Sequence, residues 1–108
     1  MHKNVEDLPL TETTFYILIA LNSPLHGYAI MQEVENLSNG NVKIAAGTMY
    51  GAIEHLLKLK WIKSVPSNDK RRKVYSITEK GIKILKLETN RLKGLVLLAK
   101  KMGYDKGV

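Results

Sequence analysis

The chain of 108 residues contains no cysteine and no long apolar run. Without cysteine, disulfide bonds and thiolate metal sites are both excluded, and a reducing compartment is favoured, so we expect a cytoplasmic protein. No apolar stretch reaches the roughly 18 residues that a membrane-spanning helix requires, and no membrane partner is expected. The length suits one small domain, whose stability would increase on association with another copy.

Sequence motifs for catalysis and metal binding are absent as well. The three histidines, His2, His26 and His55, are far apart in sequence, and neither HExxH, nor a glycine-rich phosphate loop after a strand, nor GxSxG occurs. We therefore expect neither an enzyme nor a protein that carries a cofactor or metal. His26 and His55 are interpreted as surface or capping groups.

Negative charge is scarce in the second half of the chain. Residues 1–40 hold one lysine against five aspartates and glutamates, whereas residues 41–108 hold sixteen lysines and arginines against five. Such asymmetry favours a polyanionic partner for the second half. A lysine-rich solvated surface would have the same composition, so charge alone leaves both interpretations open.

Hydrophobic periodicity predicts helices, a stub strand and a hairpin in a fixed order. The predicted elements are a helix at Leu10–Asn22, a helix at His26–Asn39, a stub strand at Asn41–Ala45, a helix at Ala46–Lys60, strands at Lys63–Ser67 and Val74–Thr78 around a turn at Asn68–Lys73, and a helix from Thr78–Glu79 to about Met102. The stub strand is expected to add to the hairpin. This order predicts a mainly α fold with a small β-hairpin (α+β), namely a winged helix-turn-helix domain over residues 10–80. An N-terminal arm (1–9) would precede it, and a dimerisation helix and tail (81–108) would follow.

The spacing of apolar residues predicts the buried face of each of the first three helices. The expected core residues are Phe15, Leu18, Ile19 and Leu21 in the first helix, Tyr28, Ile30, Met31, Val34 and Leu37 in the second, and Met49, Ile53, Leu56, Leu57 and the aliphatic part of Lys60 in the third.

The last predicted helix carries an apolar seam of its own. Its members recur at alternating steps of about three and four residues, and Glu88 interrupts their register. A helix of roughly 24 residues would be about 36 Å long, longer than so small a core can cover. We therefore expect a homodimer, with Leu85, Leu92, Leu95, Ala99 and Met102 of this helix and Phe15 of the first helix at the interface.

Short and polar side chains form the opposite face of the third predicted helix. Such a face allows a helix backbone to approach base edges closely in the major groove of DNA. Tyr50 could place its hydroxyl on a phosphate, or could instead be a half-buried core aromatic. The residues expected to face DNA are Gly47, Thr48, Gly51, Glu54 or His55, and Lys58.

Four consecutive cations occupy the predicted tip of the hairpin, at Lys70, Arg71, Arg72 and Lys73. Alone they could form a plain solvated turn. Next to a helix of the composition just described, they are more typical of a wing that lies along the minor groove or the neighbouring backbone.

These motifs, taken in order, resemble the PadR family of transcriptional regulators. The resemblance rests on HGYAI at 26–30, GTMY at 47–50, WI at 61–62, RRKVYSIT at 71–78 and EKG at 79–81. It implies a dimeric winged-helix repressor of the family's short subtype, with one C-terminal helix. Its partner would be double-stranded DNA with a pseudo-palindromic operator, and a small-molecule effector, unidentified here, is compatible with it. The DNA contacts that it implies are Tyr28, Thr48, Tyr50, Lys70, Arg71, Arg72 and Lys73.

Two other classes of function remain open from the sequence. One is an architectural protein that binds DNA without sequence specificity. The other is a winged-helix ligand sensor or protein adaptor that does not bind DNA.

Overall fold

Four helices and three short strands make up the fold in the computed structural model, which describes residues 7–69 and 71–107. In chain order the elements are α1 (Glu12–Ala20), β1 (Leu25–His26), α2 (Gly27–Leu37), α3 (Ala46–Leu59), β2 (Ile62–Val65), β3 (Val74–Ile77) and α4 (Glu79–Lys101). This mainly α architecture with a small sheet confirms the predicted α+β class. Most of the predicted N-terminal arm lies outside the described residues.

The sheet is antiparallel with β3 in the centre, flanked by β1 and β2. The predicted strand at 41–45 is wrong, because the third strand comes from Leu25–His26 instead. The backbone at 41–45 follows a turn with left-handed φ angles at Asn39 and Gly40. The buried Ser38 hydroxyl accepts the N–H of Val42 at 2.9 Å, so this amide is paired locally and not in the sheet.

The first helix is shorter than predicted, and of its predicted core residues Leu18 and Leu21 are buried. Thr11 caps it by accepting the N–H of Thr14 at 3.1 Å. Its buried residues are Ile17, Leu18, Ala20 and the following Leu21. Phe15 and Ile19, both predicted to be core, are only half-buried. The helix is apolar on nearly all sides, so periodicity could not select the buried face.

The second helix buries Ile30 and Val34 as predicted. Tyr28, also predicted to be core, is 62% exposed. Because successive residues of a helix are 100° apart, Tyr28 lies on the side opposite Ile30. Leu37 at the end of the helix is likewise exposed rather than buried.

The third helix directs Met49, Ile53 and Leu56 into the core, as its spacing predicted. Lys60, predicted to lie along the buried face, instead ends the helix in a left-handed conformation with φ 64° and is exposed. Trp61 then enters the core and leads directly into β2. This sharp exit places the hairpin beside α3, which sets the geometry of the site.

Candidate nucleic-acid interface

The outer face of α3 is open to solvent along the whole helix. The residues that sequence analysis assigned to this face are all exposed, namely Gly47, Thr48, Gly51, Glu54, His55 and Lys58. The first turn contains no acidic residue and receives no side-chain cap. Its unpaired N–H groups therefore contribute a partial positive charge at the exposed end of the helix.

Tyr50 lies on the edge of this face and is 57% exposed. The alternative that it is a half-buried core aromatic is therefore wrong. Its ring lies over the start of α2, where a Cβ on Gly27 would be 3.2 Å from the ring Cε1 and 3.3 Å from the hydroxyl. Glycine at position 27 thus lets the tyrosine pack closely against α2.

The wing formed by β2, β3 and their connecting turn is ordered by Asp69. Its carboxylate accepts the N–H of Arg71 at 2.9 Å, and its carbonyl accepts the N–H of Arg72 at 3.0 Å. Ion pairs from Asp69 to the two guanidinium groups are long, 3.9 and 4.0 Å, and exposed. Such pairs contribute little, so both arginines remain available to another anion. Lys70 lies outside the described residues.

An open cleft of about 410 Å³ lies between the wing and the first turns of α2 and α3, and is called the wing cleft below. It brings together five of the residues predicted to contact DNA, namely Tyr28, Tyr50, Arg71, Arg72 and Lys73. The other lining residues are His26, Gly27 and Tyr75. No carboxylate lines it among the described residues, so the cleft is suited to an anion.

His26 also lines this cleft, although it was predicted only as a surface or capping residue. His26 caps α2 as predicted, because its Nδ1 accepts the N–H of Ala29 at 3.4 Å. In the sheet it pairs with Val74, which brings its Nε2 to 3.1 Å from the guanidinium of Arg72. The misplaced third strand hid this contact. A strand of only two residues, Leu25–His26, leaves no recognisable pattern in the sequence, so no local signal pointed to this contact.

The remaining predicted residues of α3 lie outside the wing cleft. Thr48, Gly51 and Lys58 are exposed on the helix but do not line it. His55 lines a separate depression with Asp7 and Thr11 instead. The α3 residues and the wing cleft therefore form one continuous surface only at Tyr50.

A second cleft separates α1 from α4. Phe15 and Leu92, both predicted at a dimer interface, line it together with Glu88 and Arg91. Leu85, assigned to the same interface, is half-buried and packs against the protein's own core. The predicted seam therefore begins as intramolecular packing before it reaches solvent.

Glu88 is 2% exposed and connects α4 to the segment before α1. Its carboxylate accepts hydrogen bonds from Arg91 at 2.7 and 3.0 Å and from the N–H of Leu10 at 3.0 Å. The hydrogen bonds from Arg91 hold the pKa of this carboxyl below its ordinary value against the opposing effect of burial, and the Leu10 N–H adds to the lowering. Glu88, which interrupts the apolar seam in the sequence, is thus a buried residue that links α4 to the segment before α1 by hydrogen bonds.

Beyond Glu88, α4 projects from the rest of the chain. The radius of gyration is 15.6 Å, compared with about 13 Å for a compact domain of 100 residues. The large apolar side chains exposed on this projection and just after it are Leu92, Leu95, Val96, Leu97, Leu98, Met102 and Tyr104. An apolar surface of this extent is typical of an interface.

A model of the transcriptional regulator PadR-like family matches residues 17–87, about two-thirds of the chain. The chain belongs to the PadR-like family of transcriptional regulators. The match begins within α1, includes the wing, and ends in α4 just before Glu88. The family consists of transcriptional regulators rather than enzymes, and it confirms the resemblance carried by the sequence motifs.

Solved structures of PadR-like and other regulators share this fold. A transcriptional regulator from Clostridium thermocellum has a TM-score of 0.72 at 24% identity, covering 94% of this chain and 96% of that one. A PadR family regulator from Clostridium difficile has a TM-score of 0.71 at 22% identity, covering 85% of this chain and 98% of that one. A PadR family regulator from Eggerthella lenta has a TM-score of 0.68 at 24% identity, covering 82% of this chain and 79% of that one. No curated protein shows significant sequence similarity to the chain.

Two other kinds of site are absent from the described residues. Within residues 7–69 and 71–107, no helix is both long and apolar enough to cross a membrane. In the same part of the chain, no three histidine, aspartate or glutamate side chains are grouped so that they could hold a metal ion.

Proposed function

We propose that this PadR-like regulator is a homodimeric repressor that binds a pseudo-palindromic DNA operator in a sequence-specific manner. The outer face of α3 enters the major groove, and the wing lies along the backbone or the minor groove. The observation that carries the proposal is the wing cleft, where Arg71, Arg72 and Lys73 gather beside Tyr50. Three cations line this cleft, and Asp69 opposes two of them only through long, exposed ion pairs, so the cleft matches a phosphate backbone.

The wing and backbone contacts provide most of the affinity in this proposal. Gly47 and Gly51 let the α3 backbone approach the base edges but offer no side chain for reading them. Thr48, His55 and Lys58 are left to contact bases or phosphates from the same face. Cations on the wing release counterions wherever they meet phosphate, independently of sequence.

Dimerisation positions two such surfaces. The projection of α4 beyond Glu88 exposes Leu92 and Leu95, with Ala99 and Met102 further along the same face. A second copy that covers this face, with Phe15 at its margin, forms an isologous interface. In this arrangement residues 10–80 bind DNA and residues 81–108 pair the subunits. A chain without cysteine is suited to the reducing cytoplasm, where we place the regulator.

Selection of bound sequences from a random duplex library tests this function. A homodimer should enrich an inverted repeat with half-sites about one helical turn, roughly 34 Å, apart. The enriched duplex is then compared with random duplex in a competition assay. If the affinity for the enriched duplex exceeds that for random duplex by more than about tenfold, the protein is a specific regulator. A ratio of affinities near one indicates an architectural protein. Absence of DNA binding at moderate salt indicates a sensor or adaptor.

A further inference from the structure

We propose that His26 and Arg72 together hold a single phosphate group at the base of the wing, and that this group is a phosphodiester of bound DNA. The site rests on the proposed function for its source of phosphate. The site goes beyond the proposed function in two respects. It adds a residue of β1, which lies outside α3 and the wing, and it places one phosphate at a defined pair of atoms.

The two contacts of the His26 ring cannot both be satisfied by the protein. Its Nδ1 faces the N–H of Ala29 at 3.4 Å, and its Nε2 faces the Nη1 of Arg72 at 3.1 Å. Both neighbours are donors only. A neutral imidazole accepts through one nitrogen and donates through the other, so one contact always sets two donors against each other. The charged imidazolium donates at both positions and makes the conflict worse.

In the tautomer that keeps the cap of α2, the contact in conflict is the one with Arg72. An acceptor at Nδ1 satisfies one of the otherwise unpaired N–H groups of the first helical turn. The ring proton is then on Nε2 and points towards Arg72. Two converging donors, one of them cationic, form a binding site for an oxygen with negative charge. Asp69 does not occupy it, because its carboxylate approaches Arg72 at Nε, 4.0 Å away, rather than at Nη1.

The surroundings favour a phosphate of a polymer over an enclosed small anion. The wing cleft adds Arg71 and Lys73 to the pair, and two tyrosines, Tyr28 and Tyr50, lie at its exposed side. Tyr50, at the edge of the outer face of α3, lines the cleft, so the cleft adjoins that face. A DNA strand along that face can therefore place one phosphate in the cleft without entering it completely.

A variant that keeps the cap but removes the second donor tests the site. His26→Asn retains a good N-cap side chain that is too short to reach Arg72. We expect this variant to unfold at the same temperature as the wild type and to bind duplex DNA about tenfold more weakly. Lys86→Ala is the matched control, since Lys86 is an exposed cation on α4, and its DNA affinity should be unchanged.

Coupling between the two residues distinguishes a shared phosphate from two separate contacts. If both hold one phosphate, adding His26→Asn to Arg72→Ala should weaken binding by less than twofold beyond Arg72→Ala alone. Independent contacts would instead multiply their separate losses. Multiplicative losses, or wild-type affinity of His26→Asn while Arg72→Ala is impaired, would overturn the shared site and leave the proposed function intact.

The source of the phosphate is tested by NMR of the histidine rings. Inorganic phosphate is titrated against chloride at constant ionic strength, with the His55 ring as the internal reference. A saturable shift confined to His26, together with DNA binding, supports the site and its backbone source. If the wild type binds no DNA, the proposed function fails. In that case, a saturable change in the His26 chemical shift would show that the site binds free phosphate. No change in that chemical shift would overturn the site as well.

Discussion

The start of α4 lies directly against the backbone of Trp61, so that a Cβ on Gly81 would overlap the Trp61 carbonyl oxygen. The same carbonyl accepts the N–H of Thr78 at 2.9 Å. Thr78 also donates its hydroxyl to the carbonyl of Lys60 at 2.7 Å and caps α4 through the N–H of Gly81. The exit of α3 and the beginning of α4 are thus fixed to each other, which sets the direction of α4 relative to the outer face of α3 and the wing cleft.

Gly81→Ala should destabilise the fold by about 1–3 kcal/mol, the usual cost of overpacking a close contact. Gly94→Ala is the control in the same helix, because nothing lies within 4 Å of a Cβ there. It should stabilise the helix by about 0.5–1 kcal/mol, since alanine loses less backbone entropy than glycine. Urea unfolding at equal protein concentration measures both changes. Equal stability of Gly81→Ala and wild type would refute the close approach.

Acid should remove the stabilisation that Glu88 provides. Its folded-state pKa is lowered from an ordinary value of 4.5, so its contribution is complete well above that pH. The contribution is lost as pH falls below 4.5 through the lowered folded value. Glu88→Gln should therefore cost about 1–3 kcal/mol at neutral pH, from hydrogen bonds to a charged group, and progressively less in acid.

Stability measured against pH for wild type and Glu88→Gln checks this expectation. Glu35→Gln, at an exposed glutamate of α2, serves as the control and should follow the wild-type curve. A constant difference between wild type and Glu88→Gln down to pH 3 would contradict the tether from α4 to Leu10.

The double variant Leu92→Lys, Leu95→Lys should be monomeric, because two charges would be buried at the proposed interface. Leu97→Lys changes a leucine that is 62% exposed. On a helical projection Leu97 lies well off the seam face, so this variant should remain a dimer. Sedimentation velocity at micromolar concentration separates the two species. Wild type that sediments as a monomer would rule out the seam as a dimer interface.

Local signals in the sequence predicted most of the winged helix. The spacing of Met49, Ile53 and Leu56 predicted the buried stripe of α3, and the last helix was predicted to begin at Thr78–Glu79, where Thr78 caps α4. Capping and helical spacing depend on neighbours within one or two turns, so they can be read from a short stretch.

What sequence could not supply depended on contacts distant along the chain. Strand β1 has only two residues and pairs with β3 about fifty positions later. No local pattern identifies so short a strand, and the contact between His26 and Arg72 was missed with it. Glu88 was interpreted as an interruption of the seam because its partner, the Leu10 N–H, is 78 positions away.

Tyr50→Phe isolates the hydroxyl that we assign to a DNA phosphate. Because the ring is more than half exposed and the hydroxyl donates no hydrogen bond among the described residues, stability should not change. DNA affinity should fall about fivefold, the value of one modest hydrogen bond. Tyr104→Phe, at an exposed tyrosine after α4, is the matched control for fluorescence anisotropy. Equal affinity of Tyr50→Phe and wild type would remove Tyr50 from the contact surface.

The salt dependence of DNA binding tests the central role of the wing most directly. Arg71→Ala with Arg72→Ala is compared with Lys83→Ala with Lys86→Ala, which removes two exposed cations from α4 instead. The wing variant should bind all duplexes more weakly, and its log–log slope against salt should flatten by about 0.9 per lost phosphate contact. The α4 variant should keep the wild-type slope. An unchanged slope for the wing variant would contradict the account that the wing meets the DNA backbone.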